Sequence, residues 1–150
     1  MELLLFVGLQ ASGKTSFYVE RFLNTRARVS LDQLRTRHRE QRFLDVCMET
    51  QMPVVVDNTN PTKEERRPYI DAAKAAGYAV HLYFFRSRIA ECVERNEARP
   101  EEARVPRLGV LGTSSRLEIP SRDEGFDVMR FVRIAAGGGF DVEEWRDEVR

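Results

Sequence analysis

Residues Gly8–Thr15 read G-L-Q-A-S-G-K-T and match the phosphate-binding pattern G-x-x-x-x-G-K-[ST] at every defined position. The apolar run 3–7 precedes the pattern, and residues 16–23 carry apolar side chains at helical spacing. A strand, a loop and a helix in this order direct backbone N–H groups toward phosphate oxygens. The residues predicted to bind a nucleoside triphosphate here are Gly8, Leu9, Gln10, Ala11, Ser12, Gly13, Lys14, Thr15 and Ser16.

Two side chains of this loop have predicted roles. Lys14 is expected to reach the β- and γ-phosphates, where its charge would assist catalysis, and the Thr15 hydroxyl is expected to bind Mg²⁺. The predicted cofactors are therefore ATP, or another nucleoside triphosphate, and Mg²⁺. The alternative is a chance match inside a structural loop, which the flanking strand and helix make much less favourable.

Length and charge limit the class of protein. With 150 residues, we expect one domain, 1–150, in which the acceptor binds against the same sheet as the nucleotide. The formal net charge is zero, so the chain as a whole has no electrostatic preference for nucleic acid. All basic residues except Lys14, Lys63 and Lys74 are arginines. This suits phosphate binding, although a GC-rich genome would produce the same bias.

Cellular location is predicted from two features. The N-terminal apolar run is five residues long and leads directly into the phosphate loop, and no other segment is long enough to span a membrane. We therefore expect a cytoplasmic protein without membrane contact. Cys47 and Cys92 lack the spacing of a metal site and are predicted to be buried free thiols.

Strand and helix signals alternate along the chain. This pattern predicts an α/β protein with a P-loop kinase fold, a five-stranded, mainly parallel sheet and helices on both faces. After the first strand and helix, the predicted strands are 28–30, 53–57, 78–85 and 126–134. The predicted helices are 31–51, 62–77, 88–99 and a short terminal helix capped by residues 141–144.

The segment from about residue 95 to 121 has poor periodicity and contains several prolines. It predicts a lid over the active site, although an ordinary surface connection would have the same composition. Arg95 and Arg99 are four residues apart on one helix face, so an anion such as a triphosphate is expected between them. The alternative is pairing with nearby carboxylates, of which Glu91, Glu94 and Glu102 are within reach.

Asp32 follows the second strand, and ligands of open α/β sheets gather at the carboxyl ends of the strands. A carboxylate at this position could accept the proton of an attacking hydroxyl group. Capping of a helix that begins at Leu34 is an equally good interpretation. Arg35 follows one helical turn later, where it could help to orient a phosphorylated acceptor or form a surface ion pair with Asp32.

Asp57 ends the apolar strand V-V-V-D and begins a polar block, Asp57-Asn58-Thr59-Asn60. An acidic residue in this position typically faces the metal, directly or through water. The block is therefore predicted to bind metal and substrate, with Asp57 and Thr59 toward the acceptor. Turn formation is the alternative, because Asn-Thr-Asn-Pro is also good turn chemistry.

Together these residues resemble the polynucleotide 5′-hydroxyl kinase family over most of the chain. The most specific match is D-N-T-N-P at 57–61, and S-L-D at 30–32 corresponds to the family's Asn-Arg-Asp. The D-x-x-R of 32–35 is similar to phage-type members, and E-x-P-x-x-x-E-G-F at 118–126 is similar to animal members. Leu31 departs from the family, which has an arginine at this position.

The resemblance implies an ATP-dependent kinase that phosphorylates the 5′-OH ends of RNA or DNA. It implies that Asp32 is the general base, that Arg35 contacts a 3′-phosphate of the acceptor, and that Arg95 and Arg99 bind the donor phosphates, with Arg99 catalytic. Many members carry a phosphatase or ligase module, so a partner protein with one of these activities is a further expectation. The alternatives are a small-metabolite or nucleoside kinase with the same donor site, and a non-catalytic ATP-binding switch.

Overall fold

The computed structural model describes residues 1–147 as a sheet flanked by helices. The strands are β1 (Glu2–Val7), β2 (Ala27–Val29), β3 (Val54–Asp57), β4 (Ala79–Phe85), β5 (Val128–Ile134) and β6 (Phe140–Glu144). The α-helices are α1 (Lys14–Arg21), α2 (Leu31–Leu34), α3 (Arg37–Glu49), α4 (Lys63–Ala75), α5 (Ile89–Glu97) and α6 (Arg107–Arg116). No helix in this part of the chain is long and apolar enough to cross a membrane.

The sheet has the order β2-β3-β1-β4-β5-β6, and its first five strands are parallel. Alternate residues of β1 enter different cores, as the two-residue period of a strand requires. Leu3 and Leu5 pack with α3 and α4, whereas Leu4 and Phe6 pack with Phe17 of α1. The predicted α/β fold with helices on both faces is thus confirmed.

The sheet has six strands, so the predicted number of five was wrong. Residues 141–144, predicted to cap a helix, belong to β6, which is antiparallel to β5. Arg133 of β5 forms ion pairs with Asp141 and Glu143 across this hairpin, and Phe140 packs against the aromatic core beside α1. Cross-strand pairing therefore prevails over the local capping pattern.

Two helical regions also differ from the prediction. Residues 31–51 form two helices, because Arg35 adopts a left-handed conformation (φ 77°) that ends α2 after one turn. The segment 95–121 contains the unpredicted helix α6, whose Val110 packs with Val93 of α5 and with Leu9 of the phosphate loop. Gly109 and Gly112 weaken the helical signal of α6 in the sequence. Cys47 and Cys92 are buried and free, as predicted.

Candidate functional site

A cleft of about 660 Å³ lies at the carboxyl ends of β1, β2 and β3. It brings together most of the predicted site residues: Gln10, Ala11, Lys14, Thr15, Asp32, Arg35, Asp57, Thr59 and Arg99. The other predicted residues, Gly8, Leu9, Ser12, Gly13, Ser16 and Arg95, do not line it. Most of these belong to the phosphate loop, of which Gln10, Ala11, Lys14 and Thr15 line the cleft.

The phosphate loop connects β1 to α1 with tight backbone packing. Gly13, the N-cap residue of α1, has a φ of 101°, which favours glycine. A Cβ at Gly8 would lie 2.8 Å from Ser12 Oγ and 3.0 Å from Phe85 Cβ, so a larger residue would not fit without movement. The Gly8 N–H donates to the Thr59 carbonyl (3.1 Å), which ties the loop to the end of β3. Lys14 and Thr15, the first two residues of α1, line the cleft, so the N-terminal end of this helix borders it.

Lys14 lies across this loop and is buried. Its Nζ donates to the carbonyls of Gly8 (2.9 Å) and Leu9 (2.8 Å). Burial lowers the pKa of Lys14 to about 8, and the negative charges of Asp57 and Asp32 oppose this shift. A phosphate bound in the loop would stabilise the charged amine, so the side chain is suited to hold an anion.

Thr15, Asp57 and Arg28 form a hydrogen-bonded triangle at the start of α1. The Thr15 hydroxyl donates to Asp57 Oδ2 (2.9 Å), and Arg28 donates from Nε to the same oxygen (2.8 Å) and from Nη2 to Thr15 Oγ1 (3.2 Å). Arg28 was not predicted as a site residue. The sequence offered one signal for Arg28 as a site residue. It is an arginine in a short strand, and that strand lies beside the strand that ends in Asp57.

The oxygens of this triangle fit a magnesium ion. Mg²⁺ prefers hard oxygen ligands and takes only one or two from the protein, completing its shell with water and phosphate. The Asp57 side chain is 2% exposed, so it supplies a buried negative charge beside the Thr15 hydroxyl. Within residues 1–147 no three His, Cys, Asp or Glu side chains cluster as a metal site. A metal would therefore depend on Thr15 and Asp57.

Asp32 lies in the first turn of α2 and is exposed at the wall of the cleft. The N-cap of this helix is Ser30, which makes no side-chain capping bond, so the interpretation of Asp32 as a helix cap is wrong. The ion pairs found in residues 1–147 involve neither Asp32 nor Arg35. The carboxylate is thus available to a ligand.

Arg35 and Arg37 line the same cleft as Asp32. Arg35 reaches it from the turn that follows α2, so the prediction that Arg35 continues the helix of Asp32 was wrong. Arg37 is shared between the cleft and a buried carboxylate, Glu40, at 2.9 Å. Arg39 and Arg42 are exposed but lie outside the cleft. The guanidinium groups of Arg35 and Arg37 therefore share the cleft with Asp32, which is an arrangement suited to an acceptor that carries phosphate.

A buried network fixes α2 against the end of β3. Asn58 Oδ1 accepts from the Leu31 N–H (2.9 Å), and its Nδ2 donates to Glu40 Oε2 (2.8 Å). The Tyr69 hydroxyl donates to Glu40 Oε1 (2.7 Å), and burial together with this carboxylate raises the pKa of Tyr69. Asn58 thus positions the turn that carries Asp32. Sequence reasoning missed this network because its members are far apart in the chain.

The turn after β3 is held by a fully buried arginine, Arg66. Its Nη1 donates to the carbonyls of Asn60 (2.9 Å) and Pro61 (3.1 Å), while Nε and Nη2 bind Glu124 at 2.7 and 3.1 Å. Arg66 therefore joins the D-N-T-N-P block to Glu124 of the 118–126 motif, which explains why both motifs shape one site. The sequence alone gave no sign of this partner.

The segment 95–121 forms two side-chain hydrogen bonds with the phosphate loop, in addition to the packing of Val110 on Leu9. Arg95 Nε donates to the Ala11 carbonyl (2.7 Å), and Gln10 Nε2 donates to Thr113 Oγ1 of α6 (3.0 Å). Arg99 lines the cleft from the same side.

The predicted alternative for the two arginines was pairing with neighbouring glutamates. Glu91 instead pairs with Arg86 (2.9 Å), and Arg95 is committed to the loop carbonyl. Arg95 of α5 thus binds the loop, whereas Arg99 follows the end of the helix and lines the cleft, so the prediction that both arginines lie on one helix face was wrong.

Comparisons with known proteins agree with this geometry. The chain is 26% identical over 129 residues to the bifunctional polynucleotide phosphatase/kinase of Schizosaccharomyces pombe. The match covers 83% of this chain and 32% of that protein. It therefore spans about a third of the length of this relative. The predicted resemblance to polynucleotide kinases is confirmed.

Solved structures of other proteins have a fold similar to that of this chain. A gluconokinase from Sinorhizobium meliloti 1021 superimposes with a TM-score of 0.60 at 17% identity, over 87% of this chain and 82% of its own. Kti12 of Chaetomium thermophilum, in complex with ADP-AlF3, gives 0.63 at 17% identity, over 87% and 88%. A family model described as an AAA domain, AAA_33, matches residues 3–118. The chain therefore belongs to the AAA_33 family of P-loop proteins.

Proposed function

We propose that this protein is an ATP-dependent kinase that phosphorylates a hydroxyl group, with the 5′-OH end of RNA or DNA as its acceptor. The observation that carries the proposal is the juxtaposition of an exposed, uncommitted carboxylate, Asp32, and a phosphate loop with Lys14 in one cleft. A switch that only binds ATP does not require a group that accepts the proton of a hydroxyl.

The donor would bind with its phosphates against the loop amides and the Lys14 ammonium group. Thr15 and Asp57 would hold Mg²⁺, which neutralises charge on the β- and γ-phosphates when it is bound. Arg99, from the other wall of the cleft, would supply a further positive charge to the transferred group. These residues stabilise charge and contribute no covalent chemistry.

The acceptor would bind beside α2. Its hydroxyl oxygen forms a bond to the γ-phosphorus while the bond from that phosphorus to the β–γ bridging oxygen breaks, and ADP leaves. The hydroxyl proton passes to Asp32. Arg35 and Arg37 would orient the acceptor through its phosphate. Thr59, at the end of β3, would complete the acceptor side of the cleft.

The segment 95–121 would act as a lid within a kinase domain that includes residues 1–150. The proposal is supported by its two side-chain hydrogen bonds with the phosphate loop, Arg95 with Ala11 and Gln10 with Thr113. Closure over the donor would exclude water from the transferring phosphate. Hydrogen exchange should accordingly slow more in this segment than in β3 when a non-hydrolysable ATP analogue binds.

The acceptor class is supported by the named activity of the S. pombe relative and by Arg35 and Arg37, which line the cleft together with Asp32. A polynucleotide end needs only a few phosphate contacts, so zero net charge is compatible with it. A partner protein that carries phosphatase or ligase activity would act on the same ends before or after this reaction.

The test is transfer of labelled γ-phosphate from ATP to a panel of acceptors. The panel contains 5′-OH RNA, 5′-OH DNA, 3′-mononucleotides, nucleosides and gluconate, and 5′-phosphorylated oligonucleotides serve as the matched control. We expect label on the 5′-OH oligonucleotides and none on the control. Label only on unphosphorylated small molecules would replace the polynucleotide proposal with a metabolite kinase. Hydrolysis without any labelled acceptor would support the switch.

A further inference from the structure

The oxygens suited to a metal are already occupied by a side chain of this protein. Arg28 projects from β2 and binds both Asp57 Oδ2 (2.8 Å) and Thr15 Oγ1 (3.2 Å). Asp57 Oδ2 also accepts the Thr15 hydroxyl proton (2.9 Å). A metal ion that bound directly to Thr15 Oγ1 and Asp57 Oδ2 would therefore compete with Arg28 for these two oxygens.

Charge leads to the same conclusion. Asp57 is almost completely buried, and a buried carboxylate without a partner is unfavourable. A guanidinium group keeps its proton at all accessible pH values, so the cost of a second cation at this place cannot be relieved by deprotonation. Arg28 and Mg²⁺ are consequently alternative occupants of one position.

We propose that Arg28 is an internal cation that holds Thr15 and Asp57 in the nucleotide-free protein and is exchanged for the metal when ATP binds. The triphosphate would supply negative charge to the incoming metal and a new partner to the displaced guanidinium group, so the exchange becomes favourable only with nucleotide present. Metal binding is then coupled to nucleotide binding. This inference rests on the proposed metal role of Thr15 and Asp57.

The chain provides a matched control close to Arg28. Arg26 has the same charge and is two residues away, but it pairs with Glu2 at 3.0 Å and does not line the cleft. Replacing either arginine by glutamine removes one positive charge from nearly the same part of the molecule. Only Arg28→Gln releases the oxygens of Thr15 and Asp57.

The experiment measures binding of Mn²⁺ alone, as a probe for Mg²⁺, by the electron paramagnetic resonance signal of the free ion. No nucleotide or acceptor is present. We expect Arg28→Gln to bind Mn²⁺ about tenfold more tightly than the wild type, because one opposing charge a few ångströms away is removed. Arg26→Gln should match the wild type, and Arg28→Lys, which keeps the charge, should remain close to it.

A second measurement uses the unmodified protein. Without nucleotide, Mn²⁺ should bind the wild type weakly. With ADP present, it should bind much more tightly, after the Mn²⁺ that ADP binds in a protein-free control is subtracted. Equal affinity of wild type and Arg28→Gln for Mn²⁺ alone would overturn the inference. So would tight binding of Mn²⁺ to the wild type without nucleotide.

An Asp57→Asn variant separates this inference from the proposed function. If Mn²⁺ binding in the presence of ADP does not depend on Asp57, the metal assignment of the proposed function is wrong. If it does depend on Asp57 while Arg28→Gln changes nothing, only the role of Arg28 is wrong. The metal titrations reach both results without measuring turnover.

Discussion

The donor loop (Gly8–Thr15) and the acceptor wall (Asp32 and Arg35) of the cleft differ in whether their side chains already have partners within the protein. On the donor side Lys14 is buried and bonded to two loop carbonyls, and Thr15 is bonded to Asp57 and Arg28. On the acceptor side Asp32 and Arg35 are exposed and take no part in the ion pairs of residues 1–147. A preorganised donor site suits a constant substrate, whereas free side chains on the acceptor wall are where specificity can reside.

The largest expected effect lies on the donor side. Lys14→Ala should lower phosphoryl transfer about a thousandfold, because the transferring group loses a fixed positive charge. Single-turnover transfer of labelled phosphate measures this. Lys74→Ala, which removes an exposed lysine of α4, is the control and should remain at the wild-type rate. A Lys14→Ala variant with normal transfer would show that the phosphates bind elsewhere.

The second-largest effect is expected from the Arg66–Glu124 ion pair, which holds the turn after β3 at the acceptor side of the cleft. Glu124→Gln should lower the free energy of unfolding by about 3 kcal/mol, because the fully buried Arg66 loses its charged partner. Urea denaturation measures the change, with Asp71→Asn on the exposed surface of α4 as the control. In the fraction of Glu124→Gln that remains folded, the KM for the acceptor should rise more, relative to the wild type, than the KM for ATP. Unchanged stability would mean that the turn after β3 is held by other contacts.

A smaller effect is expected from Arg35. Arg35→Ala should raise the KM of a 3′-phosphorylated mononucleotide or a 5′-OH oligonucleotide about tenfold, since a charged hydrogen bond to phosphate is lost. ATP hydrolysis without acceptor should not change. Arg39→Ala, a neighbouring arginine outside the cleft, should behave as the wild type. If both variants lost acceptor affinity equally, a diffuse charge effect would replace the specific contact.

The smallest effect concerns pH and the donor side. Burial lowers the pKa of Lys14 to about 8 in the free protein, and the negative charge of a bound phosphate would raise this pKa. Below pH 8 the amine is charged with or without ATP, so affinity is constant. Above pH 8 binding must take up a proton, and ATP affinity should fall about fourfold between pH 7 and 8.5. Calorimetry in two buffers measures the proton uptake. Lys14→Arg does not titrate and should lack this dependence, and a similar slope in both proteins would contradict the assignment.

The same contrast explains what the sequence could predict. The donor loop is a contiguous motif between an apolar strand and a helix, so Gly8–Thr15 defined its fold and its ligand class directly. The parallel order of the first five strands likewise follows from alternating apolar runs such as 53–57. These features depend on local sequence and on the two-residue period of a strand.

The acceptor wall depends on partners that are distant in sequence. Asn58 reaches Glu40, and Arg66 reaches Glu124, across 18 and 58 residues. Neither pairing has a local signature. The break at Arg35 and the strand β6 were missed for a related reason, because local helical patterns compete there with tertiary contacts that only the folded chain provides.

The proposed kinase activity depends above all on activation of the acceptor hydroxyl by Asp32. The most direct measurement compares Asp32→Asn with the wild type for ATP affinity and for single-turnover transfer to a 5′-OH oligonucleotide. Asparagine keeps the size and hydrogen bonding of the side chain but cannot accept the proton. We expect ATP affinity to be nearly unchanged and transfer to fall on the order of a hundredfold or more. Full transfer activity in Asp32→Asn would contradict this role of Asp32.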